Sequence, residues 1–379
     1  MKIVDIETII LESPFDYGIS DSDEDSHGPR YACVVRVTTD EGIVGVGDVD
    51  SHPHVIRAMV DAPIATPGFI DGLKGVLIGE DPLQTDLLWS RMYQAGYYYG
   101  RRAGHIQAIS GIDIALWDIK GKALGQSVST LLGGRFHTRI KAYASTLFRQ
   151  TPDGMRAAVD KYRKLGFRAI KFGWGSYTEN PRYGVELAAA ARMEAGDDID
   201  IMVDGYITQY DVTFAAEIIN RLAEHGVFWV EEPLPSDNLV GFNRLSQLVN
   251  TRIATGEQLG GRYEYHDLIH RGNPDIVQFD LSRCGGISEA RHIIAMAQMQ
   301  SKLVCPHAWT SDFLTAASLH VNANTEHAIY QEFCTNDSPI SRELAQEPIR
   351  LGSDGYVEVP DLPGLGVTLN EETVRRYKV

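Results

Sequence analysis

Seven polar residues, spaced by about one strand-helix unit, carry the chemistry of this sequence. Lys171, Asp204, Glu231, Glu257, Asp280, His307 and Glu332 each lie near the end of a short β-rich run, at successive gaps of 33, 27, 26, 23, 27 and 25 residues. Asp204, Glu231 and Glu257 fall on three consecutive runs. Three carboxylates that converge in a poorly solvated place raise each other's pKa. A hard divalent cation with oxygen ligands, Mg²⁺ by default, removes that conflict. His307 follows Asp280 by one unit. An imidazole whose second nitrogen is held by a carboxylate has a fixed tautomer and a raised basicity, which suits a general base. Glu332, if protonated, would donate a hydrogen bond to a developing oxyanion. Lys171 is a single amine in an otherwise apolar run, "AIKFGWG".

The elements that must bring these residues together are legible as a rhythm. From about residue 140, "KAYASTL", "AIKFGWG", "DIMVDGY", "VFWVEEP", "RIATGEQ", "DIVQFDL", "KLVCPHA" and "AIYQEF" alternate with helical stretches such as "TFAAEIINRLAEHG". Eight repeats of this size predict a parallel β/α barrel, in which the C-terminal strand ends share one mouth. Residues 1–125 read differently, as an α+β unit. A strand "IVDIETIIL", a hairpin "YACVVRVTTDEGIVGVGDV" turning at "DEG", and a helix over Ala108–Gly125 follow from their periodicities. The acidic, polar "DYGISDSDEDSHGPR" is too polar for a core and reads as a loop or lid. The barrel region is placed at 126–350, and 351–379 is extended chain returning toward the first unit.

A formal net charge of -16 excludes a nucleic-acid phosphate partner for want of a basic face, while local positive charge still admits an anionic small molecule. Cys33, Cys284, Cys305 and Cys334 have no metal spacing and read as free thiols of a reducing cytoplasm. No run approaches the roughly 20 apolar residues of a membrane span, so no membrane partner is expected.

With "VDG", "WVEEP", "TGEQ", "DLSRCGGI", "CPHAW" and "YQEF" on these strands, the chain resembles the enolase superfamily and, within it, the mandelate racemase subgroup. The resemblance implies an α/β fold, a (β/α)8-type modified TIM barrel with an N-terminal α+β capping domain. It implies one Mg²⁺ per subunit on Asp204, Glu231 and Glu257, a homo-oligomer, and removal of the proton α to a substrate carboxylate. Mg²⁺ on both carboxylate oxygens would stabilise the enediolate as it forms, with Glu332 adding a hydrogen bond. The subgroup pattern has Asn where Tyr206 stands, and Lys-x-Lys where this chain has Lys171 and Gly173. The second lysine is the base opposite His307, and glycine cannot return a proton.

One competent base favours β-elimination. The expectation is therefore a hydro-lyase of the acid sugar dehydratase type. His307, with Asp280, takes the C2 proton of an aldonate or aldarate, the 3-OH leaves, and a 2-keto-3-deoxy acid results. Lys171 is then an electrostatic partner of the substrate carboxylate. The alternatives are an epimerase with Tyr206 or Lys171 as second base, a lactone cycloisomerase, or a non-catalytic binding protein. Asp280 stands where muconate-lactonising relatives place a lysine. Capping-domain loops set substrate choice in the family. His27, Arg30, Asp50, His52 and Tyr97 to Tyr99, Tyr98 among them, are candidate sugar contacts, with Trp174, Tyr206 and Trp309 at the pocket.

Overall fold

The computed structural model describes residues 1–16, 27–335 and 338–379, with backbone alone for 15–16 and 27–29. Strands β1 (Ile3–Asp16), β2 (His27–Thr39) and β3 (Val44–Val49) form an antiparallel sheet in that order. The near-continuous apolar run of β2 has a simple cause, since both faces are covered. Cys33, Val35 and Val37 pack with the helix Gly104–Leu124, while Ala32 and Val34 join Phe313, Leu314 and Ala317 of the barrel domain. Glycine in "VGVGDV" lets that helix approach. A Cβ on Gly47 would stand 2.0 Å from the carbonyl oxygen of Gly111, so no larger residue fits without moving the backbone.

All eight barrel runs form strands: β4 (Arg139–Leu147), β5 (Ala169–Gly173), β6 (Asp200–Asp204), β7 (Val227–Glu231), β8 (Arg252–Thr255), β9 (Ile276–Val277), β10 (Leu303–Val304) and β11 (Gln331–Cys334). They are parallel, in the order β10-β9-β8-β7-β6-β5-β4-β11, and a parallel bridge from Val304 to Ala328 joins the two ends. Tyr143, Ala169, Met202, Trp229, Ala254, Ile276, Cys305 and Tyr330, one from each strand or its immediate flank, cluster inside and plug the barrel below the mouth. Larger aliphatic and aromatic residues fill the layer between strands and outer helices. Among the described residues no helix is long and apolar enough to cross a membrane, and the four cysteines are buried thiols.

The C-terminal chain touches both units. Strand β12 (Tyr356–Glu358) pairs antiparallel with Arg139–Lys141 at the start of β4, and farther on Lys378 bridges Leu11 of β1. Buried acids secure the capping helix. Asp118 accepts from the backbone N–H of Val46 and Leu365, and Asp113 from both the hydroxyl and the N–H of Ser288. Ser288 lies in the first turn of the helix Gly286–Met299, so Asp113 caps a barrel helix from the other domain. Asp113→Ala is expected to cost about 2 kcal/mol, from the lost cap and an unsatisfied buried hydroxyl, read as a lowered denaturation midpoint.

Candidate active site

Parallel register sets the acids side by side. Gly173 of β5 is the partner of Asp204 on β6, and Asp204 of Glu231 on β7, so their side chains emerge together at the strand ends. Above the plug lies a cavity of about 250 Å³ whose lining includes Lys171, Asp204, Glu257, Arg283, His307 and Glu332. A larger cavity, about 500 Å³, lies elsewhere against Tyr162, Phe333 and Ile349 and has no acid in its lining. The chemistry is in the smaller one.

Lys171, 2% exposed, is surrounded by carboxylates. Its ammonium is 2.5 Å from Glu231, 3.0 Å from Glu332 and 3.3 Å from Asp204, over the ring of Tyr143. Burial favours the neutral amine, but Glu231, Glu332 and Asp204 outweigh it and hold the pKa well above the ordinary value. Lys171 is thus a cation and not a free base. One ammonium does not satisfy its neighbours. Burial, with the charge of Glu231 beside it, drives the Asp204 carboxyl well above the usual range, and burial raises Glu231 as well. Asp204 Oδ1 is buried with no hydrogen-bond partner among the described residues. An all-oxygen donor set, excess negative charge and an orphaned acceptor fit a hard divalent cation. Glu257 also faces the dyad, its carboxylate 3.2 Å from His307 Nε2 and 3.4 Å from Arg283 Nη1. Among the described residues, the three potential ligand groups whose atoms all lie within 4.8 Å of one another are Asp50, Asp280 and His307. Arg283 ion-pairs with both of those acids, so a guanidinium already supplies the positive charge there.

The structure brings the dyad together. His307 Nδ1 is 2.7 Å from Asp280 Oδ2, and a parallel bridge links the two residues beyond β9 and β10. Burial by itself would lower the imidazole pKa. Glu257 and Glu332, with the Asp280 hydrogen bond, overcome both that and Arg283 and push it up to about 10. Glu332 departs from expectation. It is a carboxylate that accepts from Ser145 Oγ at 2.7 Å and from the N–H of Ala308 at 2.6 Å. Burial favours its neutral form, yet the charges of Lys171 and His307 and these two donors hold it down to about 2. In this arrangement Glu332 is an acceptor, and donating to an oxyanion would require a proton on it.

Substrate contacts divide. Trp174 and Trp309 line the cavity. Trp174 has a φ of 54°, unusual for a bulky residue, held by its N–H on the Asp204 carbonyl and by an edge contact with Tyr206 at 5.5 Å. Tyr206 stands behind it, its hydroxyl bonded to Gln258 Nε2, and is not part of the lining. Arg30 is buried, donates to the Trp309 carbonyl and is not part of the lining. His52 is exposed at the start of the helix Pro53–Asp61, and Tyr98 is 75% exposed against Phe69 and Tyr97; neither lines the cavity. The lid residues 17–26 and the side chain of His27 lie outside the described residues. Sequence reasoning gave no role to Arg283, to Ser145, or to Trp229 and Gln278, which donate to Glu231 Oε2. It also missed Glu232, whose φ of 46° turns it away to accept from Thr255 and Gly256, next to Glu257.

A carboxylate-held imidazole beside a nest of acids, at the mouth of a β/α barrel under a capping sheet, defines a barrel enzyme equipped to move a proton. The chain belongs to the enolase superfamily, in its mandelate racemase subgroup. Residues 154–373 match the enolase C-terminal domain-like family, and 22–133 match the mandelate racemase / muconate lactonizing enzyme N-terminal domain. The D-galactarolactone cycloisomerase of Agrobacterium fabrum is 32% identical over 100% of this chain and 99% of its own. The D-galactonate dehydratase of Xanthomonas campestris pv. campestris is 32% identical over 92% and 91%. A crystal structure of a racemase from Streptomyces coelicolor with bound magnesium superposes with a TM-score of 0.87 at 28% identity, covering 100% of both chains.

Proposed function

We propose that the protein is a Mg²⁺-dependent acid sugar dehydratase acting on an aldonate or aldarate. The observation that carries this is asymmetric. The cavity holds one carboxylate-held imidazole, and the position that would hold a facing lysine is Gly173. A Cβ there would meet Asp204 Oδ2 at 3.1 Å, so the glycine also allows Asp204 its close approach. Asp280 holds His307 Nδ1 and leaves Nε2 for the C2 proton. The C2–H electrons form the C2–C3 double bond, the 3-OH departs with a proton from the imidazolium as water, and the enol tautomerises to a 2-keto-3-deoxy acid. Lys171 stays protonated, as an electrostatic partner of the substrate carboxylate. Mg²⁺ on Asp204, Glu231 and Glu257 would act as a Lewis acid on the substrate carboxylate and offset the Glu257 charge that keeps His307 protonated. Trp174 and Trp309 serve as pocket walls. The buried thiols support a cytoplasmic setting, and a homo-oligomer is the assembly usual in the family.

A second reading, lactone cycloisomerase, is favoured by the full-length match to the galactarolactone enzyme. It uses the same C2 proton removal but expels a ring oxygen, so no water is lost. Incubating the Mg²⁺-loaded protein in D₂O with mono- and diacid sugars and their lactones separates the two. Keto-acid release from an open-chain acid, stopped by chelation, is the expected result. Isomerisation of a lactone alone would select the second reading, and C2 epimerisation would overturn the one-base reading.

A further inference from the structure

Asp48, near the end of β3, and Asp50, just after it, both bond to the barrel domain, although Asp50 reads from the sequence as a candidate sugar contact. Asp48 and Asp50, two residues apart, have the same side of an extended chain available to them. Asp48 Oδ2 accepts from Thr310 Oγ1 and Ser311 Oγ, both at 2.6 Å, three and four residues beyond His307. Asp50 engages the pair that follows Asp280. Its N–H donates to Ser282 Oγ at 3.0 Å, its carbonyl accepts from Arg283 Nε at 3.1 Å, and its carboxylate ion-pairs with Arg283 Nη2. Ser282 in turn donates both its hydroxyl and its N–H to Asp280 Oδ1 at 2.6 Å, opposite the oxygen that holds His307. A continuous chain of bonds therefore runs from the capping domain to the imidazole.

We infer that Asp50 is a positioning residue: through Ser282 and Arg283 it sets the orientation of the Asp280–His307 dyad, so the capping domain helps assemble the base. This rests on the reading of His307 as the base. Partners one bond removed from a working ligand typically cost 10- to 100-fold in activity when lost.

Asp50→Asn and Ser282→Ala are therefore expected to lower kcat by roughly 10- to 100-fold, with KM changed less than about twofold and Mg²⁺ affinity retained. Asp50→Glu should recover part of the loss. Asp50→Asn keeps the N–H bond to Ser282 and cuts only the carboxylate pair with Arg283, so the Asp50→Asn/Arg283→Lys double variant should be no slower than the slower single. The low-field proton NMR signal of His307 Nδ1 should shift in each single variant, a readout that needs no substrate. Ser282→Ala, a small neutral change, keeps the test informative if the charge variant folds poorly. A raised KM with unchanged kcat would make Asp50 a substrate contact. Additive losses, or an unmoved imidazole signal, would likewise overturn the inference. A wild-type protein that exchanges no C2 proton from any acid sugar or lactone would instead overturn the reading of the base, whatever the NMR signal does.

Discussion

His307→Asn is expected to abolish C2–H exchange and dehydration together, with a loss of about 10²- to 10⁴-fold or more in turnover. The two activities fall together because both begin at one nitrogen. Nδ1 is committed to Asp280, and Gly173 offers no second acceptor across the cavity. The fold survives the substitution, since Asp280 keeps both donors from Ser282. The imidazole also leaves a signature in metal-free protein. Its folded pKa, about 10, lies above the ordinary 6.5, so the charged form is favoured by folding. That contribution is fully present below pH 6.5 and is lost as pH rises through about 10. Urea denaturation of metal-free protein should thus show the gap between parent and variant narrowing from pH 6 to pH 10. A gap that is constant with pH would mean His307 is neutral there. Exchange that persists in the variant would place the base elsewhere.

How much of this was legible depends on the range of the interaction. A charged residue near the end of an otherwise buried apolar run is anomalous by itself, so Lys171, Asp204, Glu231 and His307 declare themselves. The repeat of about 25 residues puts them at one mouth, because a parallel barrel fixes that geometry. What the sequence left open needed register or contacts between distant segments. Glu332 reads as a possible donor until Ser145 and Ala308 are seen donating to it. Arg283 lies 233 residues from Asp50, and nothing local announces that pair. His52 and Tyr98 have the composition of ligand-binding loops, but composition does not say which way a loop faces. Strands β9 and β10 shorten to two residues each because beyond them Asp280 and His307 pair only as an isolated bridge.

Lys171→Met should turn a stable protein into one whose stability depends on Mg²⁺. The substitution keeps the side chain out to Cε and removes the charge that Asp204, Glu231 and Glu332 share at 3.3, 2.5 and 3.0 Å. Removing one partner of a buried ion cluster leaves uncompensated charge and costs roughly 3–5 kcal/mol. Metal-free variant should lose about that much in denaturant titrations, and turnover should be lost with it. The same arithmetic predicts rescue. A cation that binds only the folded state adds stability as the logarithm of its concentration over its dissociation constant, so the midpoint should climb with Mg²⁺ more steeply in the variant than in the parent. The raised pKa of Lys171 means that its contribution is complete at neutral pH and fades only above the ordinary 10.5, so the loss should be the same at pH 6 and pH 8. A variant as stable as its parent without metal would mean that Asp204 or Glu231 takes up a proton on folding instead. Its stability would then fall as pH rises through the elevated carboxyl pKa, a slope opposite to that of an ordinary buried ion pair of a carboxylate.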